Sequence, residues 1–170
     1  MSRILLLVAF ALVIMTGCKS TKDTTSSGGS NGGVFKKKIL TGMSITGIEV
    51  KRFAPYGKDG SQWDAYAPFA TDPDLYVTLK QLGLEIYRSE AHEECKAGNS
   101  QRFYLNLPYE IKAFTNEIML ELFDEDGISN DDNVGYLTFR PIDYEKQELI
   151  TLKSADGTME VLLQVKWNYV

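Results

Sequence analysis

The residues best suited to chemistry in this chain are carboxylates. Phe123-Asp124-Glu125-Asp126-Gly127-Ile128-Ser129-Asn130-Asp131-Asp132-Asn133-Val134-Gly135 packs five acids into nine residues, directly after an apolar run. Carboxylates crowded in this way repel one another. Either bulk water or a bound cation must relieve that repulsion. Calcium is a hard ion that takes six to eight oxygens, which Asp side chains and backbone carbonyls supply. The other reading is a solvated loop whose Asp and Asn side chains cap turns. The EF-hand pattern fails, because Ser129 stands where its sixth-position Gly belongs and Gly135 where its final Glu belongs. A second acidic loop, Ser61 to Asp74, holds Asp64, Asp72 and Asp74 and runs straight into Leu75-Tyr76-Val77-Thr78-Leu79.

Other chemistries fare worse. His92-Glu93-Glu94-Cys95 is the one place where a His and a Cys lie close. A Cys–His nucleophile pair would also need an orienting third group, whereas Ser89 to Ser100 reads as a polar connector between short strands. A retaining glycosidase needs two carboxyls about 5–5.5 Å apart in a cleft, and no bulky second layer is in evidence to form one. No Gly-rich phosphate loop or nucleophile elbow occurs. The expectation is that the chain is not an enzyme. One His and two Cys leave no room for a multi-His zinc site or a disulfide scaffold. The balance of 18 Lys plus Arg against 23 Asp plus Glu, a net charge of -5, lacks the basic footprint of a nucleic-acid binder.

The elements that must position these acids read as strands. The 170 residues are 44% hydrophobic and 24% charged, which are globular values. Apolar residues alternate with polar ones in eight runs: Ser44 to Phe53, Leu75 to Leu79, Leu84 to Arg88, Phe103 to Leu107, Ile118 to Leu122, Val134 to Phe139, Glu148 to Leu152 and Val161 to Trp167. Such alternation buries one face of a strand and wets the other. Lys58-Asp59-Gly60, Ala97-Gly98-Asn99, Asp126-Gly127 and Asp156-Gly157 mark turns between them. Leu107 to Asn116 has room for one short helical turn. The pattern predicts an all-β domain, an eight-stranded antiparallel β-sandwich over residues 39–170.

Two features together resemble the C2 domain, the calcium- and lipid-binding β-sandwich. One is an Asp entering a strand that opens with a Tyr-Val pair, as in Asp74-Leu75-Tyr76-Val77. The other is two Asp two apart, a third six further on and a Gly three beyond, as in Asp124, Asp126, Asp132 and Gly135. The resemblance covers roughly residues 44–169. It implies calcium as the cofactor, with Asp64 and Asp74 as ligands from the first loop and Asp124, Asp126 and Asp132 from the third. Nine residues separate Asp64 from Asp74 where that family usually has five, so Asp59 or Asp72 is an alternative to Asp64. Asp131 is expected to face solvent and Glu125 to point away. Trp63, Tyr66, Phe69 and Ile128 lie at or near loop tips. They are candidates to seat in a membrane interface, and Trp63 and Phe69 equally to cover the end of the sandwich.

The N-terminus reads as an address. Met1-Ser2-Arg3 is short and basic, and Ile4 to Met15 is an unbroken apolar run, too short to span a bilayer comfortably. Met15-Thr16-Gly17-Cys18 follows and resembles the lipobox of bacterial lipoproteins. That resemblance implies a signal peptide over residues 1–17 and acylation of Cys18, with the acyl chains as the membrane partner. The alternative is an ordinary secretory signal with a chance Cys. Residues 18–38 read as the acylated Cys and a flexible linker, because Lys19 to Gly33 has no apolar residue to bury. Lys19 after the Cys is similar to lipoproteins sorted to an outer membrane, so the expected place is the bacterial cell envelope. Cys95 is then left without a partner, a free and inert thiol.

The expected function is an envelope-anchored lipoprotein carrying a C2-like recognition module, with calcium ordering its acidic loops for a ligand, a protein or a membrane. The alternative is a metal-independent structural or interaction subunit of an envelope complex.

Overall fold

The long strand β1 (Leu40–Arg52) organises the molecule, because strand partners use both of its edges. The computed structural model describes residues 37–63, 72–104, 106–126 and 130–170. The remaining strands are β2 (Leu75–Gln81), β3 (Leu84–Arg88), β4 (Gln101–Phe103), β5 (Tyr109–Ile111), β6 (Ile118–Asp124), β7 (Asp132–Phe139), β8 (Leu149–Lys153) and β9 (Glu160–Tyr169). They form two antiparallel sheets. One runs β4-β1-β9-β8 with β5 also on β1, and the other runs β3-β2-β6-β7. The nine described strands fill eight positions. β4 pairs with Ile48 to Val50 of β1, and β5 pairs with Met43 to Ile45 on the same edge. β4 and β5 are thus two halves of one strand position, interrupted by a segment with a left-handed Asn106 and the cis Leu107-Pro108 bond.

Period-two patterning explains which side chains go inside. Ile118, Leu120 and Leu122 of β6 are fully buried while Met119, Glu121 and Phe123 are only partly covered. Val161, Leu163 and Val165 of β9 face them from the other sheet, with Met43, Ile45, Ile48 and Val50 of β1. Each fully buried side chain of this size contributes about 1.5–3 kcal/mol relative to exposure. The result is an all-β antiparallel sandwich, as the alternation predicts.

Several local expectations are corrected. The run at Phe103 to Leu107 is not a strand; the strand ends at Phe103. The stretch after it holds β5 rather than a helical turn. A short 3-10 turn, Pro141–Tyr144, begins on Pro141, whose fixed φ suits a first helical position.

Strand directions assign the loops to two ends. β2 runs away from Asp74 and returns through the Leu82-Gly83 turn, while β6 and β7 meet at Asp124 and Asp132. The described residues of the connections 53–74, 89–100, 125–131 and 154–159 therefore share one end. Residues 82–83, 112–117 and 140–148 share the other. Ile39 and Val170 exchange two backbone hydrogen bonds of 2.9 Å at that second end.

Candidate functional site

The acidic residues gather where β2, β6 and β7 terminate. Leu75 is in register with Asp124, and Asp124 with Asp132. Beyond the last strand pair the ladder is continued by side chain and backbone together. The Asp74 backbone N–H donates to Asp124 Oδ1 at 2.8 Å, and the Glu125 N–H donates to the Asp74 carbonyl at 2.8 Å. Asp124 is only 1% exposed. A carboxylate so buried must be satisfied by donors, and a backbone N–H is such a donor.

A third connection ties in from residues 89–100. Glu94 N–H donates to Asp74 Oδ1 at 2.8 Å and Cys95 N–H to the Pro73 carbonyl at 2.8 Å. Asp131 is held as well. Its Oδ2 accepts the Tyr76 hydroxyl at 2.6 Å and its Oδ1 the Asp126 N–H at 3.3 Å. The expectation that Asp131 faces solvent is thereby corrected: it is half-buried and pins the loop after β6 to β2. Tyr76 in turn stacks on Phe123 at 5.3 Å and lies under the Arg88 guanidinium at 4.5 Å. Burial, then the hydrogen bond to Asp131, pushes its phenol up to about 12.

The sequence-derived candidates fall as follows. Asp74 and Asp124 are brought together directly, Asp132 is Asp124's strand partner, and Asp126 joins through Asp131. Glu125 is exposed. Asp59 sits in its own turn, where its Oδ1 accepts the Ser61 N–H at 2.9 Å and hydroxyl at 2.6 Å. Those bonds hold its carboxyl below the usual range. Trp63, a candidate for an exposed tip, is instead buried, its indole N–H donating to the Ala54 carbonyl at 3.1 Å. It covers the end of the sandwich, because a ring that large with a satisfied N–H is stable inside. Cys18, Asp64, Tyr66, Phe69 and Ile128 lie outside the described residues.

The donor chemistry here fits a hard cation, since oxygens from separate connections are fixed at one end of one sheet. The count is smaller than a finished cage: among the described residues, no group of three or more His, Cys, Asp or Glu side chains is set to hold a metal ion.

The pair His92 and Cys95 forms no nucleophile and base. The Cys95 thiol is buried and donates to the His92 backbone carbonyl at 3.1 Å, and burial pushes its pKa up. The His92 ring stacks on Phe103 at 4.5 Å with Nε2 facing Glu90 at 3.4 Å. A cleft of about 590 Å³ opens between the β7 and β8 edges, floored by Leu137, Leu152 and Met159.

Sequence reasoning missed the Tyr76–Asp131 bond and the Glu94 contribution. The signal for the first was present: Tyr76 is the second residue of β2, two after Asp74. The signal for the second was absent, because a backbone donor can come from any residue type.

No protein-family model and no curated protein matches the chain. Solved structures do resemble it. Human GIVD cytosolic phospholipase A2, in complex with methyl gamma-linolenyl fluorophosphonate inhibitor and terbium chloride, is 13% identical with a TM-score of 0.48, over 78% of this chain and 18% of that one. A calcium-bound structure of two C2 domains of extended-synaptotagmin 2 is 20% identical with a TM-score of 0.43, over 77% and 47%. A C2 domain of BON1 is 13% identical with a TM-score of 0.46, over 76% and 91%. The sandwich is similar to C2 domains. The chain spans only 17–18% of the phospholipase chains it resembles. What establishes the sandwich is the strand order and register described above.

Proposed function

We propose that the chain is a lipoprotein of the bacterial cell envelope whose sandwich carries a calcium-responsive recognition end. On this reading residues 1–17 are removed, Cys18 is acylated, and the segment to residue 38 tethers the domain to the membrane, with the outer membrane the favoured site. Support for the recognition end comes from one observation above all. The Asp74 N–H bonds to Asp124 Oδ1, so the acidic loops before β2 and after β6 are joined at one end. Asp74, Asp124, Asp126 and Asp132 would hold calcium, with Asp64 the candidate from the first loop. The ion would supply positive charge that relieves their repulsion and orders the loops. The chain's own contribution is rigidity, since Asp131 and Tyr76 fix the loop after β6 against β2.

Calorimetry and thermal melting of the purified chain test this. Extracellular calcium modules bind with Kd on the order of 10⁻⁴–10⁻³ M. Calcium at ten times such a Kd should release or absorb measurable heat and raise Tm by about 5 °C. Asp124→Asn with Asp126→Asn should abolish both. No heat and no change in Tm at millimolar calcium would remove calcium from the reading.

A specific observation also favours a metal-independent binding or structural subunit. Asp74, Asp124 and Asp131 each already accept a donor from a neighbouring loop or strand. On that reading the acids are loop fasteners, and the same titration is flat.

A further inference from the structure

Each sheet ends in two free edges among the described residues. Native sheets blunt such edges with brevity, irregularity or charge, because unpaired backbone groups invite another strand. Three of the four edges here carry these devices. β3 is five residues long, with Glu85 and Arg88 exposed on it. β4 and β5 are three residues each. β8 is five residues long and ends on the exposed Lys153. β7 is the exception. It runs for eight residues, and Asn133 to Phe139 includes no charge and no Pro. Its one register shift, opposite Leu122 and Phe123, lies near its start. Tyr136, at its middle, is 59% exposed between the good strand formers Val134 and Thr138.

Backbone alternation says which groups this edge offers. The Glu125 N–H bonds to the Asp74 carbonyl, and bonded pairs alternate with non-bonded ones along an antiparallel ladder. Ile118, Leu120 and Leu122 of β6 therefore bond to β7, where their partners are Phe139, Leu137 and Gly135. The N–H and C=O groups of Tyr136 and Thr138 face the other way, into the cleft of about 590 Å³ between β7 and β8.

Such an edge is satisfied by another strand edge, and β7 is its own complement. Set antiparallel about Tyr136, a second copy brings Tyr136 opposite Tyr136, Val134 opposite Thr138, and the exposed Asp132 opposite the exposed Arg140. Aromatic pairs and opposite charges that lie directly across a ladder stabilise it. Arg140 also bonds Asp143 at 2.8 Å, and a guanidinium has donors for two carboxylates. The Asp131 carboxylate is turned to the Tyr76 hydroxyl. The charges lining the rest of the cleft, Lys58, Lys153 and Asp156, are of both signs. They neither select nor exclude this occupant; backbone and register select it.

We infer that β7 is a self-association edge, through which two copies join their four-stranded sheets into one continuous sheet. The two-fold pairing uses β7 of both copies, so it closes at the dimer. The two strands run in opposite directions, which sets the two acidic ends at opposite poles of the pair. The inference rests on neither the calcium nor the anchor reading.

The test uses residues 37–170, one compact unit that holds every described strand, in calcium-free buffer. A single strand edge is at the small end of specific interfaces, so the expected Kd is on the order of 10⁻⁴ M. Sedimentation equilibrium at about ten times that concentration should find mostly dimer. In hydrogen exchange, the Tyr136 and Thr138 amides should gain protection as concentration rises, whereas those of Leu137 and Phe139 are protected throughout. That measurement needs no variant. Tyr136→Lys sets like charges directly opposite each other and should raise the Kd at least about tenfold with circular dichroism unchanged. Leu149→Lys, on the β8 edge, should dimerise as the parent does. A monomer at every concentration overturns the inference, and is the outcome if a strand of a different protein is the natural occupant. A dimer whose Tyr136 and Thr138 amides stay unprotected overturns it too, as does equal weakening by Leu149→Lys.

Discussion

Asp124 shows how one side chain can serve structure and charge at once. Its Oδ1 accepts the Asp74 N–H while its charge adds to the acidic end. The two roles can be separated. Asp124→Asn keeps a carbonyl acceptor and should leave stability without calcium nearly unchanged. Asp124→Ala strands the Asp74 N–H and should cost about 1–3 kcal/mol in urea unfolding. Two titrations extend the same reasoning. Ser154 and Thr158 hydroxyls and the Thr158 N–H hold Asp156 down to about 2, from 3.8. A depressed carboxyl contributes stability above its unfolded value, and loses it as pH falls through the folded one. NMR of the Asp156 carboxyl should therefore place its midpoint near 2, and its stabilising part should fade between pH 3.8 and about 2. Tyr76 and Tyr87 move oppositely, to about 12 from 10.0, chiefly through burial. Their stabilisation is full below pH 10 and falls as pH rises through 12. Tyrosinate absorbance should show both phenols protonated past pH 10, and Asp131→Asn should lower the midpoint of Tyr76 but not that of Tyr87.

Among the elements, β6 and β9 were legible because unbroken alternation leaves one register that buries every apolar residue. Leu120 is at the centre of that seam and fully buried. Leu120→Ala should cost about 2–5 kcal/mol by denaturant unfolding. β4 and β5 were not legible, because three residues each are too few for a period to declare itself. Their pairing comes from β1 on the far side of the sequence. The start of β1 was hidden for a related reason. Thr41 and Gly42 interrupt the apolar pattern, and a register shift between Leu40 and Gly42 absorbs the break. The place of the acids in the fold was readable in the spacing, since Asp124 closes β6 and Asp132 opens β7. The role of Asp131 was not, because a hydroxyl on another strand decides where its carboxylate points.

At the scale of the whole molecule, Ile39 and Val170 hold each other through two backbone hydrogen bonds. A short peptide joining Val170 to Lys37 would therefore close the domain into a ring without disturbing either sheet. New ends could then be opened at Gly98-Asn99, which is exposed and at the other end of the sandwich. Such a circular permutant should fold with the same far-ultraviolet circular dichroism, and its two-sided use as a display scaffold follows. Cargo fused after Val170 of the unpermuted chain emerges beside the start of β1, whereas cargo fused at the permutant's new ends emerges beside the aspartates.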